Sequence, residues 1–243
     1  MNSLIAQFFV AARRERTEVP ADPAPASVAD CYAISAEVAG ALRETIGGWK
    51  VGATPQGEPA AAPMYKLGFI DSGSRFQMKA GRPMIPEIEI AVRLARSLPA
   101  SGAPYAREAI LDAAGELLLG IELIERRIPK GAPFTLNLAD DLGNIGYVVG
   151  PALKDFKHLD LARLRCRYWI AGELKTDRAG GHAKGDPLIP MVDWANAQRD
   201  RLGGMKAGQI VTLGSLTPMI EVHEPCMIEA ELEGFGRVSV ELC

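Results

Sequence analysis

Ile85-Pro86-Glu87-Ile88-Glu89-Ile90-Ala91-Val92 sets two glutamates at alternate positions inside a strongly apolar, β-prone stretch. In an extended chain successive side chains point to opposite faces, so Glu87 and Glu89 share one face while Ile88, Ile90 and Val92 occupy the other. Adjacent carboxylates in hydrophobic surroundings repel one another and lose hydration, a cost that a divalent cation removes. Alternation of polar and apolar residues is also the ordinary pattern of a half-buried sheet with one face in water. The pair by itself leaves both readings open.

A third acid extends the pattern. Gly120-Ile121-Glu122-Leu123-Ile124-Glu125-Arg126-Arg127 again places a glutamate in short β-prone sequence, after a run from Ala106 to Leu119 that reads as helical. Hard cations such as magnesium or manganese take oxygen ligands and keep positions open for water or substrate, so three carboxylates from two strands suit them. Nothing points to zinc: Cys31, Cys166, Cys226 and Cys243 are scattered, and His158, His182 and His223 share no ligand spacing. The cysteines are expected to be reduced, and the histidines to fill surface or core-satisfied roles. No Gly-x-Ser-x-Gly elbow supports a serine-hydrolase triad.

These motifs, taken in order, resemble the 2-keto-4-pentenoate hydratase and 2-oxo-3-hexenedioate (4-oxalocrotonate) decarboxylase family of the fumarylacetoacetate hydrolase superfamily. The resemblance runs from about Trp49 to the C-terminus, through Trp49-Lys50-Val51-Gly52, Pro86-Glu87-Ile88-Glu89-Ile90-Ala91, Gly120-Ile121-Glu122, Ala139-Asp140-Asp141, Gly185-Asp186-Pro187-Leu188 with Trp194-Ala195-Asn196, and Thr212-Leu213-Gly214-Ser215-Leu216-Thr217-Pro218. It implies that Glu87, Glu89 and Glu122 bind Mg2+ or Mn2+ and that Lys50 lies in the active site. By residue type alone, Lys50 in its apolar strand-like segment reads first as a snorkelling surface lysine, a preference that the resemblance reverses. The resemblance also implies substrate contacts at Asp140, Arg127, Ser215 and Thr217, although an aspartate in such a loop also forms turns and a hydroxyl at a strand end also bonds backbone.

The chain departs from the family pattern in two places. The family's catalytic aspartate follows Phe/Tyr-Gly-x-Leu-x, whereas Leu67-Gly68-Phe69-Ile70-Asp71 is one residue shorter, so Asp71 is a catalytic candidate in an altered register. After Glu122 the family's Asp-Ser-Arg is replaced by Glu125-Arg126-Arg127, a change that bears on substrate choice. The resemblance implies hydration of a 2-hydroxy-2,4-dienoate of the 2-keto-4-pentenoate type in aromatic or related catabolism. Alternatives are decarboxylation of a 2-oxo-3-enedioate, with Lys184 or Arg126 receiving the second carboxylate, acylpyruvate C–C hydrolysis, and a non-catalytic partner subunit. A homo-oligomer is expected, with association to a sister pathway enzyme as a further expectation.

Composition fits an ordinary cytoplasmic enzyme. With 243 residues, 48% of them hydrophobic, the chain can bury one substantial core. A net charge of -3 gives no basic stripe for nucleic acid. The densest basic cluster, Arg13, Arg14 and Arg16, is expected on the polar face of an N-terminal helix. The apolar run from Leu4 to Val10 is too short for a membrane span and lacks a basic leader and a cleavage site, so it reads as a packed helix.

The expected organisation is a single catalytic domain over 1-243, in which a helical segment, 1-47, packs on a β-rich core. Residues 3 to 15 read as one helix. Ser27 caps a second, which Gly47-Gly48 would end. The glutamate strand is expected to run to about Leu98, and residues 187 to 202 to be helical. Hairpins are predicted at Arg165–Ile170 with Glu173–Thr176 and at Met227–Leu232 with Arg237–Leu242. The predicted fold class is α+β, a highly curved and largely antiparallel mixed β-roll or sandwich core with N-terminal helices; this is also what the family resemblance implies.

Overall fold

Two sheets and five helices make up the chain, and the computed structural model describes all of residues 1–243. The helices are α1 (Asn2–Glu15), α2 (Val28–Leu42), α3 (Arg107–Ala113), α4 (Phe134–Ala139) and α5 (Ile189–Ala197). The strands are β1 (Ile46–Ala53), β2 (Pro59–Tyr65), β3 (Phe69–Asp71), β4 (Arg75–Phe76), β5 (Ile85–Leu94), β6 (Ala114–Ile124), β7 (Asn144–Leu153), β8 (Arg165–Ile170), β9 (Glu173–Ala179), β10 (Ile210–Ser215), β11 (Met227–Leu232) and β12 (Gly236–Leu242). One sheet has the order β2-β1-β10-β5-β6-β7-β3 and the other β4-β12-β11-β8-β9. Pairing is antiparallel except between β1 and β10, β3 and β7, and β12 and β4.

The larger sheet curls upon itself. Met64, Ile210, Ala91, Leu118 and Tyr147, from β2, β10, β5, β6 and β7, share one small buried cluster, which strands so far apart in the sheet form only by wrapping around it. The chain then passes from β2 at one edge to β3 at the other through a single 3-10 turn, Lys66–Gly68. On the outer face Trp49, Val51, Ile88, Ile90, Val92, Leu119, Ile121, Leu123 and Val148 enter the main core of 51 buried residues, which also takes in the second sheet and the helices. Every position of β5 except Arg93 is buried, so the strand is covered on both faces and the half-exposed alternative for Glu87 and Glu89 is removed.

Several boundaries differ from the sequence expectations. The helix read from Ala106 to Leu119 stops at Ala113, and the rest belongs to β6. Leu117 and Leu119 face the main core while Leu118 faces the inner cluster, so burial on both sides gives a continuous apolar run that carries no strand periodicity. Ser27 does cap α2, its Oγ accepting from the Asp30 N–H at 3.2 Å, but the helix ends at Arg43 in the left-handed conformation and not at Gly47-Gly48. Those glycines lie in β1. α5 is shorter than 187 to 202, and β5 ends at Leu94, leaving Leu98 only an isolated bridge to Met205. Both predicted hairpins are present, β8 with β9 and β11 with β12. No helix is long and apolar enough to cross a membrane.

Candidate metal centre

The β5–β6 register places Glu87 directly opposite Glu122 and Glu89 opposite Gly120. All three carboxylates therefore project to the inner face of the curl, where their oxygens lie within 4.8 Å of one another. Glu87 is 7% exposed and Glu89 and Glu122 are 0% exposed. β1 delivers Lys50 to the same face, its Nζ 2.9 Å from Glu87 Oε2 and 2.7 Å from Glu122 Oε2. Glu122 Oε1 also accepts from Asn144 Nδ2 at 2.8 Å, and Glu89 Oε2 accepts from the Gly214 N–H at 3.1 Å. Glu89 Oε1 has no hydrogen-bond partner.

The electrostatics are those of an acidic site short of positive charge. Burial by itself would lower the Lys50 pKa, but Glu122, Glu87 and Glu89 outweigh it and raise the pKa well above the ordinary lysine range. Burial raises Glu89, with Glu122 adding to the effect and Lys50 opposing it. Glu122 is raised for the same first reason, against Lys50. One ammonium among three buried carboxylates leaves formal negative charge in a region of low dielectric. An all-oxygen donor set with an unpartnered buried acceptor fits a hard divalent ion.

The remaining residues singled out from the sequence lie around this centre at different distances from its chemistry. Asp71 ends β3 opposite Val149, on the inner-face parity of Phe69, but it is exposed and pairs with none of the carboxylates or Lys50. Asp140 and Arg127 turn towards each other: Arg127 Nε donates to Asp140 Oδ1 at 2.8 Å, and Nη2 donates to the carbonyls of Asp140 and Asn144 at 3.1 and 3.2 Å. They thereby fix the start of β7, which carries Asn144. Ser215 lies beside Glu89 in the β10–β5 register, and its hydroxyl donates to Thr217 O at 2.9 Å while accepting from the Thr217 N–H at 3.2 Å. Lys184 and Arg126 are exposed.

Of the N-terminal basic cluster, Arg14 is exposed as expected, whereas Arg13 and Arg16 depart from the solvent-facing role. Arg13 is largely buried and pairs with Asp141 at 2.5 Å, and Arg16 pairs with Glu125. With Arg127, Tyr65 and Asn144 they line a cavity of about 410 Å³. Its buried cations are matched by Asp140, Asp141 and Glu125, so it is a balanced ion-pair network.

Sequence reasoning did not single out Tyr147, Thr212, Asn144 or Gly120 as individual site residues. Asn144 could have been suspected from its place near Asp140-Asp141, and Thr212 opens the Thr212-Leu213-Gly214 motif, but Tyr147 sits in apolar strand sequence without a local signal. His182, expected in a satisfied role, places Nε2 2.9 Å from Leu213 O, and its Nδ1 accepts from the Lys184 N–H at 3.2 Å. Burial lowers its pKa, and the neutral ring tethers the 180–185 loop to the turn that holds Glu89.

A curled mixed sheet packed on a second sheet, with three carboxylates and a lysine on its inner face, gives the chain the fold of fumarylacetoacetate-hydrolase-type proteins. In sequence, the chain is similar to curated 2-keto-4-pentenoate hydratases and a 2-hydroxyhexa-2,4-dienoate hydratase. It is 28% identical over 208 residues to a 2-keto-4-pentenoate hydratase of Paraburkholderia phymatum, covering 80% of this chain and 77% of that protein. It is 27% identical over 252 residues to a 2-hydroxyhexa-2,4-dienoate hydratase of Comamonas testosteroni, covering 97% and 94%. Among solved structures, 4-oxalocrotonate decarboxylase from Pseudomonas putida G7, complexed with magnesium and adipate, superimposes with a TM-score of 0.87 at 20% identity over 99% of this chain and 96% of that one. No protein-family profile matches the chain.

Proposed function

We propose that this chain is a divalent-metal-dependent lyase that hydrates a 2-hydroxy-2,4-dienoate of the 2-keto-4-pentenoate type. The observation that carries the reading is the buried triad Glu87, Glu89 and Glu122 with Lys50 set between two of its members. Similarity to named hydratases along most of the chain supports the substrate class. Mg2+ or Mn2+ held by the three glutamates would supply Lewis acidity towards the carboxylate and C2 oxygen of a 2-oxo acid. All 243 residues are taken as one catalytic unit because both sheets share the main core.

The chain's own residues have separate tasks. Lys50 stays cationic through its carboxylate neighbours and holds positive charge where the substrate's enolate oxygen gains negative charge. Ser215, beside Glu89, and Thr217, hydrogen-bonded to Ser215, offer hydroxyls and backbone to the substrate carboxylate. Asp140 and Arg127 act by anchoring Asn144, which orients Glu122. Conversion requires protonation of the dienol at its distal carbon to give an enone, then addition of water at the β-position of that enone. Asp71, exposed at the end of β3, is the candidate for handling the water's proton.

The test supplies 2-hydroxypenta-2,4-dienoate and 2-oxohex-3-enedioate separately, each with Mg2+. Loss of the diene chromophore with the first substrate is expected. Carbon dioxide release from the second, without turnover of the first, would replace the hydratase reading with decarboxylation. Inactivity on both would favour a non-catalytic partner subunit.

A further inference from the structure

Glu89 differs from the other two carboxylates of the triad in having no ion pair. Lys50 Nζ reaches Glu87 and Glu122, whereas Glu89, at 0% exposure, receives only the Gly214 N–H, at 3.1 Å, on Oε2. An ionised carboxylate so placed depends on further donors or on a cation. Two candidate donors are close by, and both lack partners: Tyr147 Oη and Thr212 Oγ1 are buried without a hydrogen bond, as is Glu89 Oε1 itself.

The path of the Tyr147 side chain gives this direction. Tyr147 lies opposite Glu122 in the β6–β7 register, and Gly120 lies opposite Glu89 in the β5–β6 register. A Cβ added at Gly120 would fall 2.1 Å from Tyr147 Oη and 2.2 Å from Cζ. The phenol therefore arches across β6 through the space that Gly120 leaves, carrying its hydroxyl from β7 towards the β5 side where Glu89 stands. Its ring packs on Phe69, with centroids 5.8 Å apart, and is 1% exposed. Packing alone would be served by phenylalanine, because a buried hydroxyl without a partner is unfavourable.

We propose that Tyr147 is a positioning residue of the metal centre, its hydroxyl donating to Glu89 Oε1 and holding that carboxylate in its ligating orientation, with Thr212 as a second donor. The inference rests on the reading of Glu87, Glu89 and Glu122 as a divalent-metal centre. At neutral pH a tyrosine phenol keeps its proton and is a hydrogen-bond donor. Outer donors of this kind fix the geometry of metal-ligating carboxylates, and their loss weakens metal affinity by about 10–100-fold. Tyr147→Phe removes the donor and retains the ring.

Titration of the metal-free protein with Mn2+, following the electron paramagnetic resonance signal of the free ion, tests this directly. Tyr147→Phe is expected to bind Mn2+ about tenfold or more weakly than wild type, with an unchanged far-ultraviolet circular dichroism spectrum. Equal affinity overturns the inference. A second readout uses the unaltered protein: saturation with Mg2+ is expected to produce a tyrosine difference band near 290 nm that tracks binding and is absent from Tyr147→Phe. Should that variant fail to fold, a wild-type protein that binds Mg2+ without any tyrosine perturbation still refutes the role. A wild-type protein that binds neither ion refutes the metal reading itself, which separates the two failures.

Discussion

Lys50 and Glu89 show how single residues set the behaviour of the centre. Lys50 is the counter-ion of two buried carboxylates, so Lys50→Met in metal-free protein is expected to cost roughly 3–5 kcal/mol by leaving them unpaired. Denaturant unfolding with and without saturating Mg2+ checks this: the loss should shrink when Mg2+ is present, while turnover stays abolished. Equal stability of the variant and wild type without metal would show that Lys50 is not the counter-ion. Glu89 has a folded-state pKa raised by burial and Glu122, so its protonated form contributes stability that is complete below the unfolded glutamate value of about 4.3 and is lost as pH rises through the raised pKa. Protons and a divalent ion therefore compete for it, and Mn2+ affinity should fall on acidification at pH values still above that of an ordinary glutamate. Glu89→Gln is expected to flatten this pH dependence and to remove tight binding; a steep, unchanged acid limb in that variant would assign the competition to another group. The alternation of Glu87 and Glu89 was legible because strand parity is a property of neighbouring residues. Tyr147 was not, because its significance depends on Gly120 in a different strand.

At the scale of elements, the placement of Lys50 depends on how closely β1 approaches β10. A Cβ at Gly48 would fall 2.0 Å from Ile210 O, and the parallel register pairs Gly48 with Ile210 and Lys50 with Thr212. Gly48→Ala should force β1 away from β10, costing on the order of 1–3 kcal/mol as overpacking and withdrawing Lys50 from Glu87 and Glu122. Thermal unfolding together with a turnover assay would show both losses, and a variant with native stability and activity would mean that the strand shifts without disturbing the site. The same glycines mislead a sequence reading, since paired glycines after a helix suggest its end. β6 misleads in a different way: its doubly buried Leu117-Leu118-Leu119 run lacks the alternation that makes β11 and β12 readable. The hairpins were accessible because turn and strands lie together in the chain, whereas the β1–β10 pairing joins segments far apart in sequence.

The whole molecule is a sheet wrapped around charge, and this would give a bound divalent ion a structural consequence beyond chemistry. Lys50 comes from β1, Glu87 and Glu89 from β5 and Glu122 from β6, all facing inward among Met64, Ala91, Leu118, Tyr147 and Ile210. Without a cation the inner face sets three carboxylates against one ammonium, and their mutual repulsion opposes closure of the curl. A ligand that binds only the folded state stabilises it by about 2.7 kcal/mol at a concentration 100 times its dissociation constant. For a chain of this size each kcal/mol moves the thermal midpoint by about 2–4 °C, so Mg2+ at that excess should raise Tm by roughly 5–11 °C over chelator-treated protein. Glu122→Gln should lose most of this increment, because it removes a ligand from β6 and weakens the bridge to β5. Amide hydrogen exchange should show the gain in protection concentrated in β5, β6 and β10, the strands that carry Glu87, Glu89, Glu122 and the Gly214 donor, with little change in β8, β9 or β11 of the second sheet. If instead Tm is the same in chelator and in Mg2+, the inner face carries its charge by protonation, and the carboxylate triad is not a metal centre.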